Sequence, residues 1–262
     1  MQKVPFNLLC SMPLMDRERL LETFTLIAIV LYVDYLERRR PGRAVDRRWE
    51  FGLNLLSLAV VVLAGDRWKD VLTKVFSALG TERLFSWTGL NELPGPARVI
   101  LAIILADFCL YWIHRGMHWK GFLWRTHVFH HSIEHLWWLS GSRTSVIHLL
   151  LFAVPQILIS YYLFQMTTWE AGAAFSFGVA VNIWIHSNLW VDLGRLEWLI
   201  ITPNYHRVHH GPRELLRKNL GFVLTIWDRM FGTFADPHSV GRDFALGFVP
   251  TKGRLLRMLA GL

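Results

Sequence analysis

Three short stretches concentrate imidazole side chains: "HRGMH" with His114 and His118, "HVFHH" with His127, His130 and His131, and "HRVHH" with His206, His209 and His210. Four steps along an α-helix turn the chain about 400°, so residues four apart share a face. On helices, each i, i+3, i+4 triplet is expected to aim three rings at one region. A lone histidine such as His238 says little, but eight of the chain's twelve histidines fall in these clusters. So many ring nitrogens near a membrane boundary need partners, and neutral imidazole is the commonest metal ligand. Eight nitrogens exceed the four of a structural zinc site, so two metals with four or more ligands each is the natural count. Other chemistries lack residues. No G-x-S-x-G or Gly-rich phosphate loop occurs, and Cys10 and Cys109, the two cysteines, cannot supply a disulfide framework, a four-cysteine zinc site or an iron–sulfur centre.

The elements that must carry these rings read as membrane helices. The chain has 262 residues, 53% hydrophobic and 18% charged, with mean hydropathy +0.30, too apolar for an ordinary soluble domain. A bilayer core needs about 20 mostly apolar residues per helix. About five transmembrane helices are expected, over residues 20–36, 51–65, 97–116, 146–167 and 171–191. The run "ERRRPGRAVDRRWE" places six arginines between the first two. Because positive residues stay inside, that loop, and with it a helical cap of residues 119–145 and 192–262, is expected on the cytoplasmic side. No repeat or linker divides the chain, so the expected fold is one all-α integral membrane domain. The N-terminal stretch has no convincing cleavage site and is expected to be retained. Thr202 and Pro203 in "TPNYHRVHH" read as a helix start. The net charge of +8 suits basic loops facing anionic headgroups, and no nucleic-acid partner is expected.

Asp107 stands inside the third apolar stretch, seven residues before His114. A carboxylate there is a functional candidate, able to accept a proton from a ligand imidazole and fix its tautomer. Asp228 in "WDRMFG" can do likewise or pair with Arg229.

The order H-x-x-x-H, H-x-x-H-H, H-x-x-H-H resembles the fatty acid hydroxylase superfamily, also called the sterol desaturase family, of integral membrane non-haem di-iron enzymes. The flanks "DFCLYWIHR", "HHSIEH" and "NLGFVLTIWDRMFGT" agree. The likeness runs over roughly residues 20–250 and is strongest from Asp107 to Thr233. It implies that the eight clustered histidines ligate two iron ions, that His186 in "NIWIHSNL" completes the set, and that no catalytic residue is needed beyond the ligands. Zinc can replace iron in recombinant protein. Family sequences often carry an acidic residue where this chain has "SRTSVIH"; His148, and similarly His135, is then an extra ligand or a substrate-pocket residue.

The implied reaction uses O2 and two electrons to hydroxylate an unactivated C–H bond of a lipid (fatty acyl, sterol or related). Desaturation is the alternative within the family. With no flavin motif or cysteine cluster, electrons must come from a separate donor, and a small acidic ferredoxin or cytochrome suits a basic cap. Readings of another class are a bis-histidine haem electron carrier and a metal-binding protein without catalysis. The first pairs single histidines within spans, and the second, as a transporter, strings ligands along a path at the bilayer midplane.

Overall fold

A computed structural model describes residues 14–247 and 253–262; the expectation for the N-terminal stretch falls outside them. Among the described residues the regular elements are all helices, and the only strand-like pairing is one isolated antiparallel bridge between Ile200 and Leu224. Five long elements, α1 (Leu14–Arg39), α2 (Arg47–Ala78), α3 (Gly95–Trp119), α5 (Val146–Ile157) and α6 (Thr168–His186), form the body. Short helices α4 (Gly121–His127), α7 (Pro203–His209) and α8 (Ile226–Met230) belong to the polar end.

Local sequence explains most boundaries. The Ser145 hydroxyl accepts from the His148 amide and starts α5, which runs on through a π-helical turn, Leu158–Leu163. A reciprocal Thr167–Glu170 capping box starts α6. Thr202 accepts from the Tyr205 amide and Pro203 takes the first turn of α7, as the sequence predicts.

Among the described residues three helical stretches are long and apolar enough to cross a membrane: Glu50–Ala78, Gly95–Trp119 and Val146–Leu163. The other two expected spans do form helices, of 26 and 19 residues. Glu22, Asp34 and Glu37 in α1, and Glu170 and Asn182 in α6, leave them outside that set. The second span extends well past residue 65, and α6 stops at His186 rather than 191. The cause at α6 is polar: the Asn188 amide donates to Glu37 at 2.7 Å and its side chain binds the Arg43 backbone, drawing the chain out of the helix.

Helix α2 packs on α5, while α3 and α1 pack on α6. Away from the histidines, Ala102, Ile159, Phe164, Met166 and Ala171 form an apolar core, and Arg98 pairs with Glu170 at 2.5 Å. Phe24, Leu31, Leu63 and Ile100 point outward, the surface a lipid-facing bundle presents.

Candidate metal centre

All nine expected ligands come together in two groups, and the partition differs from the expected one. His114, His118, His127, His131 and His209 form a group of five; His130, His186, His206 and His210 form a group of four; within each, one ligand atom per residue lies within 4.8 Å of every other. No triplet therefore serves one region. The i, i+4 pairs stay together, while the third member of each triplet crosses to the other group. Local geometry explains it: α4 ends at His127 and His130–Ser132 is a 3₁₀ turn rather than a continuation of the expected helix. Neighbours diverge by about 120° on such a turn and about 100° on an α-helix, so His130 and His131 face different groups, as do His209 and His210.

Within the five, Nε2 of His114 and His127 are 2.9 Å apart, His131 and His127 3.1 Å, and His118 lies 3.3 Å from both His114 and His131. Within the four, His186 stands 3.0 Å from His206 and 3.3 Å from His130, and His206 3.1 Å from His210. Nitrogens bound at about 2.0–2.1 Å to a shared divalent cation lie about 2.8–3.4 Å apart in octahedral or tetrahedral geometry, so the spacing fits.

The proton positions sharpen that fit. Four rings donate Nδ1–H to main-chain carbonyls: His114 to Leu220 (2.7 Å), His130 to Arg143 (2.9 Å), His186 to Asn182 (2.8 Å) and His209 to Lys218 (2.9 Å). Their Nε2 atoms then carry bare lone pairs, and those of His130 and His186 face each other at 3.3 Å. Two lone pairs at that distance repel unless a cation lies between them. A proton is a poor substitute, because burial, then the nearby rings, holds His130 well below 6.5. Burial does the same for His127, His131, His206, His209 and His210. The rings are neutral, buried donors, and the residues present fit two metal ions.

The remaining candidates divide. His148 is buried against Phe152 and reaches the five-histidine group through His127, Nδ1 to Nδ1 at 3.3 Å. His135 lies outside both groups and contributes its amide to Glu50. Asp107 does not touch an imidazole; it accepts from the Val223 and Leu224 amides and the Trp227 indole at 2.8–3.0 Å. Asp228 does not pair with Arg229. Fully buried, it accepts from the Leu220 and Gly221 amides, the Tyr205 hydroxyl and the Thr233 hydroxyl. The Arg229 guanidinium lies over Trp198 and Phe234 instead, at 4.1 and 3.8 Å. Both corrections have one cause: two backbone amides in each case outcompete more distant partners for a buried carboxylate.

Sequence reasoning missed the residues that aim the rings, because they act through backbone carbonyls. Arg143 is the exception with a readable side chain. Its guanidinium binds Glu50 (2.6 Å), Asn54 (3.0 and 2.7 Å) and the Ser132 carbonyl (3.0 Å), fixing the carbonyl that His130 uses. Gly141 is another, since a Cβ there would stand 2.8 Å from His186 Nδ1.

With this geometry in view, the relatives are informative. A family model described as fatty acid hydroxylase matches residues 99–233, which hold every histidine of both groups. The chain belongs to the fatty acid hydroxylase family. Alkylglycerol monooxygenase of Xenopus tropicalis is 30% identical over 80% of the chain and 45% of its own length. The Danio rerio protein of that name is 37% identical over 52% of the chain and 30% of its own length. Ornithine lipid hydroxylase of Rhizobium tropici is 33% identical over 56% of the chain and 44% of its own length. The chain thus spans under half the length of these relatives. No solved structure matches. Family membership and the three apolar helices make this a membrane protein.

Proposed function

We propose that the protein is a membrane-bound di-iron oxygenase that uses O2 and two electrons to hydroxylate an unactivated C–H bond of a lipid. The observation that carries this reading is the pair of buried imidazole groups whose Nε2 lone pairs converge at 2.9–3.3 Å. The group of five would hold one iron and the group of four the other. Two iron ions so held supply the activation of O2 needed to take hydrogen from an unreactive carbon.

The chain's own residues do the rest. The carbonyls of Leu220, Lys218, Arg143 and Asn182 hold protons on Nδ1 of four rings and so keep their Nε2 atoms free to ligate. His148 fixes the orientation of His127 in the same way. Phe152, packed on His148 and near His114, helps to keep water out. Hydroxylation is preferred to desaturation because the relatives described above, more similar to the chain than a matching sterol desaturase is, bear the names monooxygenase and hydroxylase. Those names also favour a polar-headed lipid entering from the bilayer. In the proposed topology, α1 and α6 cross as well, giving five spans, and the cap of residues 119–145 and 192–262 lies in the cytoplasm. There its basic surface receives an acidic ferredoxin- or cytochrome-type donor.

The test is lipid mass spectrometry under 18O2 with iron-loaded, reduced protein. One lipid gains one labelled oxygen, and His127→Ala or His210→Ala abolishes the gain. A fully loaded and reduced protein that leaves every lipid unlabelled refutes the reading.

A further inference from the structure

The flank of α7 carries a buried cation that no group among the described residues neutralises. Arg207, second residue of "HRVHH", is 1% exposed. Its Nη2 donates to Asn188 Oδ1 at 3.1 Å, while Nε and Nη1 are buried without a partner. Among the described residues it makes no ion pair. The carboxylate that bears on it electrostatically, Glu37, already spends its oxygens on the amides of Trp138 and Asn188 and on the Arg47 guanidinium. Two further guanidiniums, Arg43 and Arg242, add positive charge beside it. They are tethered by bonds to the carbonyls of Phe244 and Gly42, at 2.5 and 3.4 Å.

The same chain shows what a neutralised arginine looks like. Arg143 is as deeply buried, and its guanidinium is bonded to Glu50, Asn54 and Ser132. Left without a counter-charge, a buried guanidinium destabilises the fold, so its retention calls for a partner from outside. Arginine donors pair best with planar or tetrahedral oxyanions, carboxylate or phosphate.

We infer that Arg207, flanked by Arg43 and Arg242, is the receptor for an oxyanion, the phosphate or carboxylate on the headgroup of a lipid held beside the metal-bearing helix. On α7, Arg207 stands about 100° from His206 and about 60° from His210, so the anion sits on the side of the four-histidine group. The site itself follows from the arginines; the lipid as its source rests on the proposed function.

The test measures binding to metal-loaded protein in a neutral detergent, using dihexanoyl phosphatidic acid, inorganic phosphate and uncharged dihexanoylglycerol. Phosphatidic acid should raise the melting temperature saturably and dihexanoylglycerol should not. Arg207→Met should raise the Kd for phosphatidic acid on the order of tenfold or more, the loss of at least one charge-assisted hydrogen bond. Without anion, Arg207→Met should melt no lower than the parent, whereas a merely structural arginine would leave it lower. An Arg207→Met that melts lower or fails to fold shows Arg207 to be structural, and Arg43→Gln and Arg242→Gln then decide the receptor by whether they raise the Kd. Inorganic phosphate binding as tightly as phosphatidic acid supports the receptor and overturns the lipid source. No stabilisation by either anion, or undiminished binding by the variants, overturns the receptor. Anion binding without any oxygenated lipid would instead count against the proposed function alone.

Discussion

His130→Ala and His131→Ala alter adjacent residues, yet the partition of rings predicts different losses. His130 is one of four imidazoles in its group, and His131 one of five. A four-ligand zinc site binds with about 10–16 kcal/mol, or about 3–4 kcal/mol per ligand, a factor on the order of 10²–10³ in affinity. Removing His130 leaves three rings, and that metal is lost to a chelator of moderate strength. Removing His131 leaves four, enough for a full tetrahedral set. After dialysis against a graded series of chelators, His130→Ala should keep about one metal per chain and His131→Ala about two. His209 and His210 repeat the contrast, with His210→Ala the more damaging. His135→Ala, outside both groups, is the control. Equal losses from His130→Ala and His131→Ala, or a greater loss from His131→Ala, would refute the partition and the helix geometry behind it.

Three further outcomes follow. Asp228→Asn sets an amide NH2 against one of the fixed Leu220 and Gly221 amides, while the two hydroxyl partners can rotate. One buried N–H is left unpaired, so stability should fall by about 1–3 kcal/mol in denaturant unfolding; an unchanged midpoint would contradict the bonding. Gly141→Ala puts a methyl 2.7 Å from Asn182 Nδ2 and 2.8 Å from His186 Nδ1, and metal analysis should show the four-histidine group depleted first. The stability of metal-free protein should fall with acid. Burial depresses the six cap imidazoles His127, His130, His131, His206, His209 and His210 well below 6.5. Below that pH the unfolded chain takes up protons that the folded chain refuses, so their contribution is full above pH 6.5 and declines beneath it. His238, raised by its bond to Glu197, has the opposite sign, but one group opposes six. Melting temperatures of metal-free protein should therefore drop from pH 7 to pH 5, and a rise would sink the linkage.

What the sequence made legible was what side-chain type and helical period encode. The three histidine motifs and the start of α7 at Thr202 and Pro203 are of that kind, whereas His186 entered only through the family resemblance. The allocation of rings between metals was less legible, because i, i+3 and i+4 read as one face. In the fold, the step of about 100–120° between neighbours decides which group each ring joins. Span boundaries failed where polar partners are distant in sequence. Asn188 ends α6 because of Glu37 and Arg43, some 150 residues earlier. The proton acceptors of the rings were invisible, since a carbonyl has no residue type.

Asp107 shows how such hidden supports reach the metals. It lies twelve residues before Trp119, about 18 Å along α3, and brings the non-helical segment around Val223 alongside an apolar span. Irregular backbone is tolerated at such a level only where protein satisfies its amides. Asp107 binds those of Val223 and Leu224, and Asp228 those of Leu220 and Gly221. Braced by two carboxylates, this segment presents the Leu220 carbonyl to His114, and just upstream Lys218 offers its carbonyl to His209. Both rings belong to the group of five. The group of four takes its orientation elsewhere, His130 from Arg143, itself pinned by Glu50 and Asn54, and His186 from Asn182 within α6. The two supports meet at α7, where Asp228 also accepts from the Tyr205 hydroxyl and Asn219 donates to the Tyr205 carbonyl beside His206, so damage to the 218–228 segment should loosen the group of five directly and the group of four only through α7.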